Sequence, residues 1–112
     1  MSSGFVETGL SSEALNIHRA LASLQEELEA IDYYHQRVDL SDDASLKAIL
    51  AHNRDDEMEH AAMLLEWLRR TMPEFDVQMK KFLFTTSNPT DLADGSGSPA
   101  AYGSGLGLGN LK

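Results

Sequence analysis

Two long segments of this sequence carry apolar residues at alternating steps of three and four, which is the repeat of an amphipathic helix. The first segment runs from about Ser12 to Val38 and the second from about Ala44 to Arg70. Residues 40–43 break the repeat and offer side-chain oxygens that can cap the second helix. The two apolar stripes consist of Ile17, Leu21, Leu24, Leu28, Ile31 and Val38, and of Leu46, Ile49, Leu50, Ala61, Leu64, Trp67 and Leu68.

A tight turn between two helices of this length predicts an antiparallel hairpin. Pro73 is placed to open a short third helix, in which Phe75, Met79 and Phe82 share one face. A lone hairpin buries its stripes poorly, and a chain of 112 residues has a marginal core. We therefore expect an all-α protein, an antiparallel two-helix hairpin with a short third helix, that needs a partner.

The composition changes sharply near Thr85, from helix-forming residues to a segment rich in Gly, Ser, Pro and Ala. Such a segment buries too little apolar surface to offset the entropy lost on ordering. The expected organisation is a flexible N-terminus at residues 1–11, a helical domain at residues 12–85 and a disordered linker at residues 86–105.

The chain is acidic, with 9 Lys and Arg against 18 Asp and Glu and a formal net charge of −9. This charge disfavours nucleic acid and anionic lipid as partners and attracts cations. No stretch approaches the roughly 20 apolar residues of a membrane span, and no signal-peptide pattern opens the sequence, so we expect a cytoplasmic protein. Because cysteine is absent, any metal is held by carboxylate and imidazole, which suits iron, manganese or zinc.

Glu57 and His60 interrupt the second stripe. At about 100° per residue, both lie within roughly 40° of the stripe residues Leu46 and Leu64. A carboxylate in an apolar stripe is costly unless it is paired or binds a metal. The Glu-x-x-His spacing also lets one helix present a carboxylate and an imidazole to one ion. A buried polar pair, or a partly solvated interface between the helices, would explain the same pattern without a metal.

The hairpin geometry adds a third candidate ligand. If the turn centres near Asp42, Glu57 faces Glu27 and His60 faces Leu24. Two-iron sites in helical bundles use one Glu from each of two helices and a Glu-x-x-His from each of the other two. This chain holds one of each, so a twofold axis would complete the set.

Other polar residues on the first helix are open to two interpretations. Glu26 and Glu29 point away from the stripe and form either a solvated acidic face or a weaker cation site. Tyr34 is either a hydrogen-bond donor beside the metal ligands or an amphipathic edge residue. His35 lies near the helix end and is interpreted as a semi-exposed histidine.

The segments HRALASLQEELEAIDYYHQRVD, ILAHNRDDEMEHAAMLLEWLRR and KFLFT closely resemble the encapsulated ferritins over about residues 18–85. The resemblance implies a ferroxidase that oxidises Fe(II) to Fe(III) with oxygen. It also implies that two hairpins pair into a ferritin-like four-helix bundle with two iron ions per dimer interface. The dimers of this family close into a ring, usually of five, which would be a decamer.

The resemblance assigns the iron ligands to Glu27, Glu57 and His60, and it places Tyr34 beside the iron centre. It assigns Glu26 and Glu29 to a secondary metal site on the side from which ions arrive. Two positions depart from the expected family pattern. Tyr33 stands where we expect tryptophan, and Asp56 stands where we expect glutamate.

The C-terminal residues 106–112, LGLGNLK, resemble the short targeting peptides that dock cargo inside encapsulin shells. Leu106, Leu108 and Leu111 would be the apolar anchors of an extended peptide. This resemblance implies an encapsulin shell protein as partner, bound through Leu106–Lys112, with iron mineralised inside the nanocompartment.

Two other functions fit parts of the pattern. A non-enzymatic helical adaptor that dimerises and docks into a shell would explain the stripes and the tail, but not Glu57 and His60 in the stripe. A peroxide-reducing two-metal protein would use the same ligands; the absence of cysteine removes only its rubredoxin-type iron partner.

Overall fold

The structure, a computed structural model, describes residues 5–95 of the chain. In this range it contains α1 (Ser12–Leu40), α2 (Ala44–Thr71), α3 (Pro73–Phe82) and α4 (Pro89–Ala93). The predicted all-α class is therefore confirmed for the described residues. None of these helices has the length and apolar character required to cross a bilayer.

Helix α1 begins and ends where its local sequence favours it. The Ser11 side chain accepts a hydrogen bond from the Ala14 backbone N–H at 3.1 Å, which caps the first turn. Glu13 in the first turn and Arg37 in the last turn complement the helix dipole. The helix ends at Leu40, two residues beyond the predicted end at Val38, and the backbone of the next residue, Ser41, is extended.

A short turn joins α1 to α2 and reverses the chain. Asp43 Oδ1 accepts a hydrogen bond from the Leu46 backbone N–H at 2.9 Å, so this residue caps α2. Arg69 and Arg70 lie in the last turn of α2, which ends at Thr71, one residue beyond the predicted end at Arg70. The two helices pack along each other as the expected antiparallel hairpin.

Part of each apolar stripe is buried in the single chain. Ala20 and Leu24 on α1 and Ala61 and Leu68 on α2 are buried. Five other stripe residues are 39–56% exposed: Leu21, Leu28, Leu46, Ile49 and Trp67. Trp67, a residue of the second stripe, is therefore not part of the core of the single chain. Two helices meet along one narrow line, whereas the stripes are wider than that line.

The second unit of the chain begins at Met72 and contains α3 and α4. Pro73 occupies the first turn of α3, as predicted. Met79 is buried, and Phe75 and Phe82 on the same face are half-buried.

Helix α4 lies inside the segment that we expected to be a disordered linker, so that expectation is wrong for Pro89–Ala93. The Asn88 side chain accepts a hydrogen bond from the Thr90 backbone N–H at 3.0 Å, and Pro89 fixes the first helical position. These local signals, together with burial of Leu92, order a segment whose average composition suggested disorder. The rest of the predicted linker, from residue 96, and the predicted targeting peptide lie outside the described residues.

Candidate metal centre

Three potential metal ligands converge on the hairpin from two helices. Glu27 comes from α1, whereas Glu57 and His60 come from successive turns of α2. Each offers a ligand atom, and these atoms all lie within 4.8 Å of one another. The i, i+3 spacing places Glu57 and His60 on one face of α2, and the packing of the hairpin adds Glu27.

His60 is the centre of this group. Its Nδ1 lies 3.4 Å from Oε1 of Glu27 and 3.4 Å from Oε1 of Glu57. The side chain of His60 is 46% exposed, and those of the two glutamates are 24% exposed. The group is therefore partly sheltered by the hairpin and open on one side.

The metal-free group holds protons more tightly than isolated side chains do. The hydrogen bond with Glu57 is the largest cause that raises the pKa of Glu27, and partial burial raises it further. Partial burial lowers the pKa of His60, but the hydrogen bond with Glu57 and the negative charge of Glu27 raise it, and the net pKa is raised. Two carboxyl groups this close resist simultaneous ionisation without a cation.

Two carboxylates and an imidazole that converge on one point form a donor set suited to iron, manganese or zinc. One chain supplies three ligand groups, which is half of the set used by two-iron helical bundles. The open side of the group is where further ligands would approach.

Tyr34 and Glu26 also lie on α1, and their roles at the metal centre stay predictions. The Tyr34 ring is half-buried, with the Arg37 guanidinium 5.3 Å from its centroid. Glu26 is exposed on α1.

Tyr33, where tryptophan was expected from the resemblance, makes a local hydrogen bond on α1. Its hydroxyl donates a hydrogen bond to Oε2 of Glu29 at 3.0 Å. This hydrogen bond raises the pKa of Tyr33, because a phenolate would lose the bond and face a carboxylate. A tryptophan would present an indole N–H from a different position, so the contact with Glu29 depends on the tyrosine.

The second departure, Asp56, also has a local partner. Its Oδ2 lies 3.5 Å from Nδ1 of His52, one turn earlier on α2, and both side chains are at least half exposed. The shorter aspartate therefore still takes part in a surface pair, while the three converging ligands are the expected residue types.

A polar contact that the sequence did not reveal also crosses the hairpin. Arg54 Nη1 lies 3.1 Å from Nδ1 of His35, and Arg54 Nε donates to Asp55 at 3.2 Å. His35 is exposed, as interpreted from the sequence. A register that pairs Glu57 with Glu27 places Ile49 opposite His35, so only the reach of the Arg54 side chain makes this contact.

The chain was compared with known proteins by sequence. Residues 5–86 match the EncFtn-like family model. An encapsulated ferritin-like protein of Rhodospirillum rubrum is 49% identical over 115 aligned positions, covering 92% of this chain and 82% of the relative. A ferritin-like protein of Thermotoga maritima is 51% identical over 94 residues, covering 83% of this chain and 82% of the relative.

A shorter match and a solved structure agree with these relatives. An encapsulin nanocompartment cargo protein of Myxococcus xanthus is 42% identical over 52 residues, which are 46% of this chain and 40% of that protein. The crystal structure of a Nitrosomonas europaea protein is 57% identical and superposes with a TM-score of 0.73, covering 77% of this chain and 97% of that one. Because the family model spans well over half of the sequence, the chain belongs to the EncFtn-like family of encapsulated ferritin-like proteins.

Proposed function

We propose that this protein is a ferroxidase, which oxidises Fe(II) to Fe(III) with oxygen at a di-iron site shared between two copies of the chain. The observation that carries the proposal is the convergence of Glu27, Glu57 and His60, with ligand atoms within 4.8 Å of one another. Membership in a family of encapsulated ferritin-like proteins supports iron as the metal.

The site requires a second copy because one chain supplies only half of the ligands. A twofold axis beside the open side of His60 would bring together four carboxylates and two imidazoles. The exposed stripe residues support such an interface. Leu28 is 51% exposed and Trp67 is 40% exposed, and pairing two hairpins into a four-helix bundle would remove such apolar surface from water.

In this arrangement each ligand has a separate task. Glu27 of each chain would help to hold both iron ions, while Glu57 and His60 of each chain would hold one iron ion. Two Fe(II) ions held side by side would each give one electron to the same oxygen molecule, which would take up two protons from water with the two electrons. This avoids the release of one-electron radical products. The anionic carboxylates favour Fe(III) over Fe(II) because the attraction grows with the charge of the ion.

The remaining site residues bring Fe(II) to the centre or contact the residues that hold it. The acidic surface attracts Fe(II) by its charge, and Glu26 with Glu29 forms a weaker site that iron meets before the centre. Tyr34 serves as a hydrogen-bond donor beside the centre.

Delivery of the oxidised iron completes the proposal. The residues Leu106–Lys112 bind an encapsulin shell protein, which places the ferroxidase inside the nanocompartment. The relative named as an encapsulin nanocompartment cargo protein supports this partner. The dimers assemble into a decameric ring in the cytoplasm, and the shell supplies the cavity in which iron is mineralised.

The decisive experiment adds Fe(II) without oxygen, then air, and follows the rise of Fe(III) absorbance. Glu57→Ala and Glu57→Gln should lower the oxidation rate to that of iron in buffer. Glu59→Gln is the matched control, since Glu59 is exposed two residues away and on another face of α2, and it should oxidise iron like the wild type. Equal rates in wild type and Glu57→Ala would instead support a non-enzymatic adaptor.

A further inference from the structure

The contact between Arg54 and His35 joins α2 to α1 outside the metal centre. Arg54 Nη1 lies 3.1 Å from His35 Nδ1. A guanidinium group only donates hydrogen bonds, so Nδ1 of His35 is the acceptor in this contact. The side chain of Arg54 is 22% exposed and is held on its other side by Asp55, 3.2 Å from Nε.

This contact and the metal centre belong to the same helix register. His60 on α2 meets Glu27 on α1 at 3.4 Å. Glu27 to His35 is eight residues along α1, about 12 Å, whereas His60 to Arg54 is six residues back along α2, about 9 Å. The reach of the Arg54 side chain covers the difference of about 3 Å, so both cross-hairpin contacts form in the alignment that the structure shows.

The apolar contacts alone specify that alignment weakly. The second stripe has no member between Leu50 and Ala61, so at the level of Glu57 its apolar contacts do not oppose a slide of one turn, about 5.4 Å. Such a slide would separate Glu27 from His60. Polar pairs at a helical interface fix register because only one alignment satisfies them.

We propose that Arg54 and His35 are positioning residues for the metal centre. They hold α1 and α2 in the register in which Glu27 meets Glu57 and His60, and they do not touch the metal. The proposal rests on the proposed function, because it assigns the pair to the same site. It concerns ligand placement and not the chemistry of oxidation.

The test titrates the full chain with Co²⁺, whose visible absorption reports both binding and coordination geometry. Arg54→Met removes the donor and keeps the length of the side chain, and His35→Leu removes the acceptor. Each should weaken Co²⁺ binding about tenfold, the lower end for residues that orient metal ligands, and should change the absorption bands. The variant that carries both substitutions should bind Co²⁺ no more weakly than either single variant, since each substitution alone already removes the contact.

Rescue and a matched control separate positioning from a general loss of stability. His35→Asn keeps an acceptor oxygen near the place of Nδ1 and should restore Co²⁺ binding and the band shape. Arg19→Met breaks a 2.8 Å hydrogen bond to Asn16 within α1 and should bind Co²⁺ like the wild type. Unchanged binding in Arg54→Met and His35→Leu, or no rescue by His35→Asn, overturns the proposal.

Two further measurements distinguish failure of this proposal from failure of the proposed function. The ¹⁵N chemical shifts of His35 in the metal-free wild type should show an unprotonated Nδ1; a proton on Nδ1 overturns the pair alone. If Glu57→Ala loses Co²⁺ while Arg54→Met retains it, only the positioning role fails. If the wild type binds no Co²⁺, the metal centre fails and the positioning role fails with it.

Discussion

His60 on α2 and Glu27 on α1 meet across the hairpin, with Nδ1 of the histidine 3.4 Å from Oε1 of the glutamate. Glu57 approaches the same nitrogen at 3.4 Å. Without a cation, an imidazole between two carboxyl groups keeps a proton to balance their charge. The metal-binding properties of the protein are therefore tied to the protons that Glu27 and His60 hold, because the pKa values of both are raised.

Metal binding should become tighter as the pH rises. The hydrogen bond with Glu57 is the largest cause of the raised pKa of Glu27, and the pKa of His60 is also raised, so a metal ion has to displace protons from both. Calorimetric titration with Co²⁺ in two buffers of different ionisation enthalpy should show more proton release at pH 6 than at pH 8. Binding without proton release at either pH would contradict this expectation.

The same protons should make the metal-free fold depend on pH in the opposite sense. Glu27 and His60 hold their protons more tightly in the folded state, so their contribution to stability is fully present below the unfolded pKa values. It is lost as the pH rises through their raised pKa values. In urea denaturation, the stability advantage of metal-free wild type over His60→Gln should shrink between pH 6 and pH 8. An advantage that grows over this range would refute the assignment.

Association should be coupled to metal. If the site is shared, metal binds the dimer better than the single chain and shifts the equilibrium by mass action. Light scattering should show a larger assembly after addition of Co²⁺, and Leu28→Glu should weaken it because Leu28 is 51% exposed on α1. The same molecular mass with and without metal would argue against coupling.

Replacing Phe84 with glycine should stabilise the metal-free chain. Phe84 has a φ of 61°, a conformation that glycine adopts without strain, and its side chain is 59% exposed. We expect a gain of about 0.5–1 kcal/mol in the free energy of unfolding, measured by urea denaturation. Leu83→Gly is the control, because Leu83 has a φ of −79° and glycine there only adds freedom to the unfolded chain. A loss of stability in Phe84→Gly would contradict this prediction. It would show that contacts of the phenyl ring stabilise the fold by more than the positive φ of Phe84 destabilises it.

The cap of α2 should be a local source of stability. The Leu46 backbone N–H donates to Asp43 Oδ1 at 2.9 Å, and Asp43→Ala should lower the free energy of unfolding by about 1 kcal/mol. Asp43→Asn keeps an acceptor oxygen and should retain most of that stability. Asp42→Ala, at the neighbouring position of the turn, should be nearly neutral; an equal loss there would point to charge and not to capping.

The positions of α1, α2 and α3 follow from the sequence because helical periodicity and capping are local properties. The pairing of Glu57 with His60 is local as well, since residues three apart on a helix always share a face. Helix α4 was missed although its signals, Asn88 and Pro89, are equally local. Average composition over the segment hid a single well-capped turn.

Tertiary structure decided the rest. The sequence register brought Glu27, Glu57 and His60 to one level of the hairpin but placed Leu24 directly opposite His60. In the structure the Glu27 side chain lies 3.4 Å from His60, and Arg54 reaches His35. The reason is that periodicity fixes which face a residue occupies, but not how far one helix slides along another or how far a long side chain reaches. The exposure of Trp67 has the same origin, because the width of the contact between two helices is set by their packing and not by the width of either stripe.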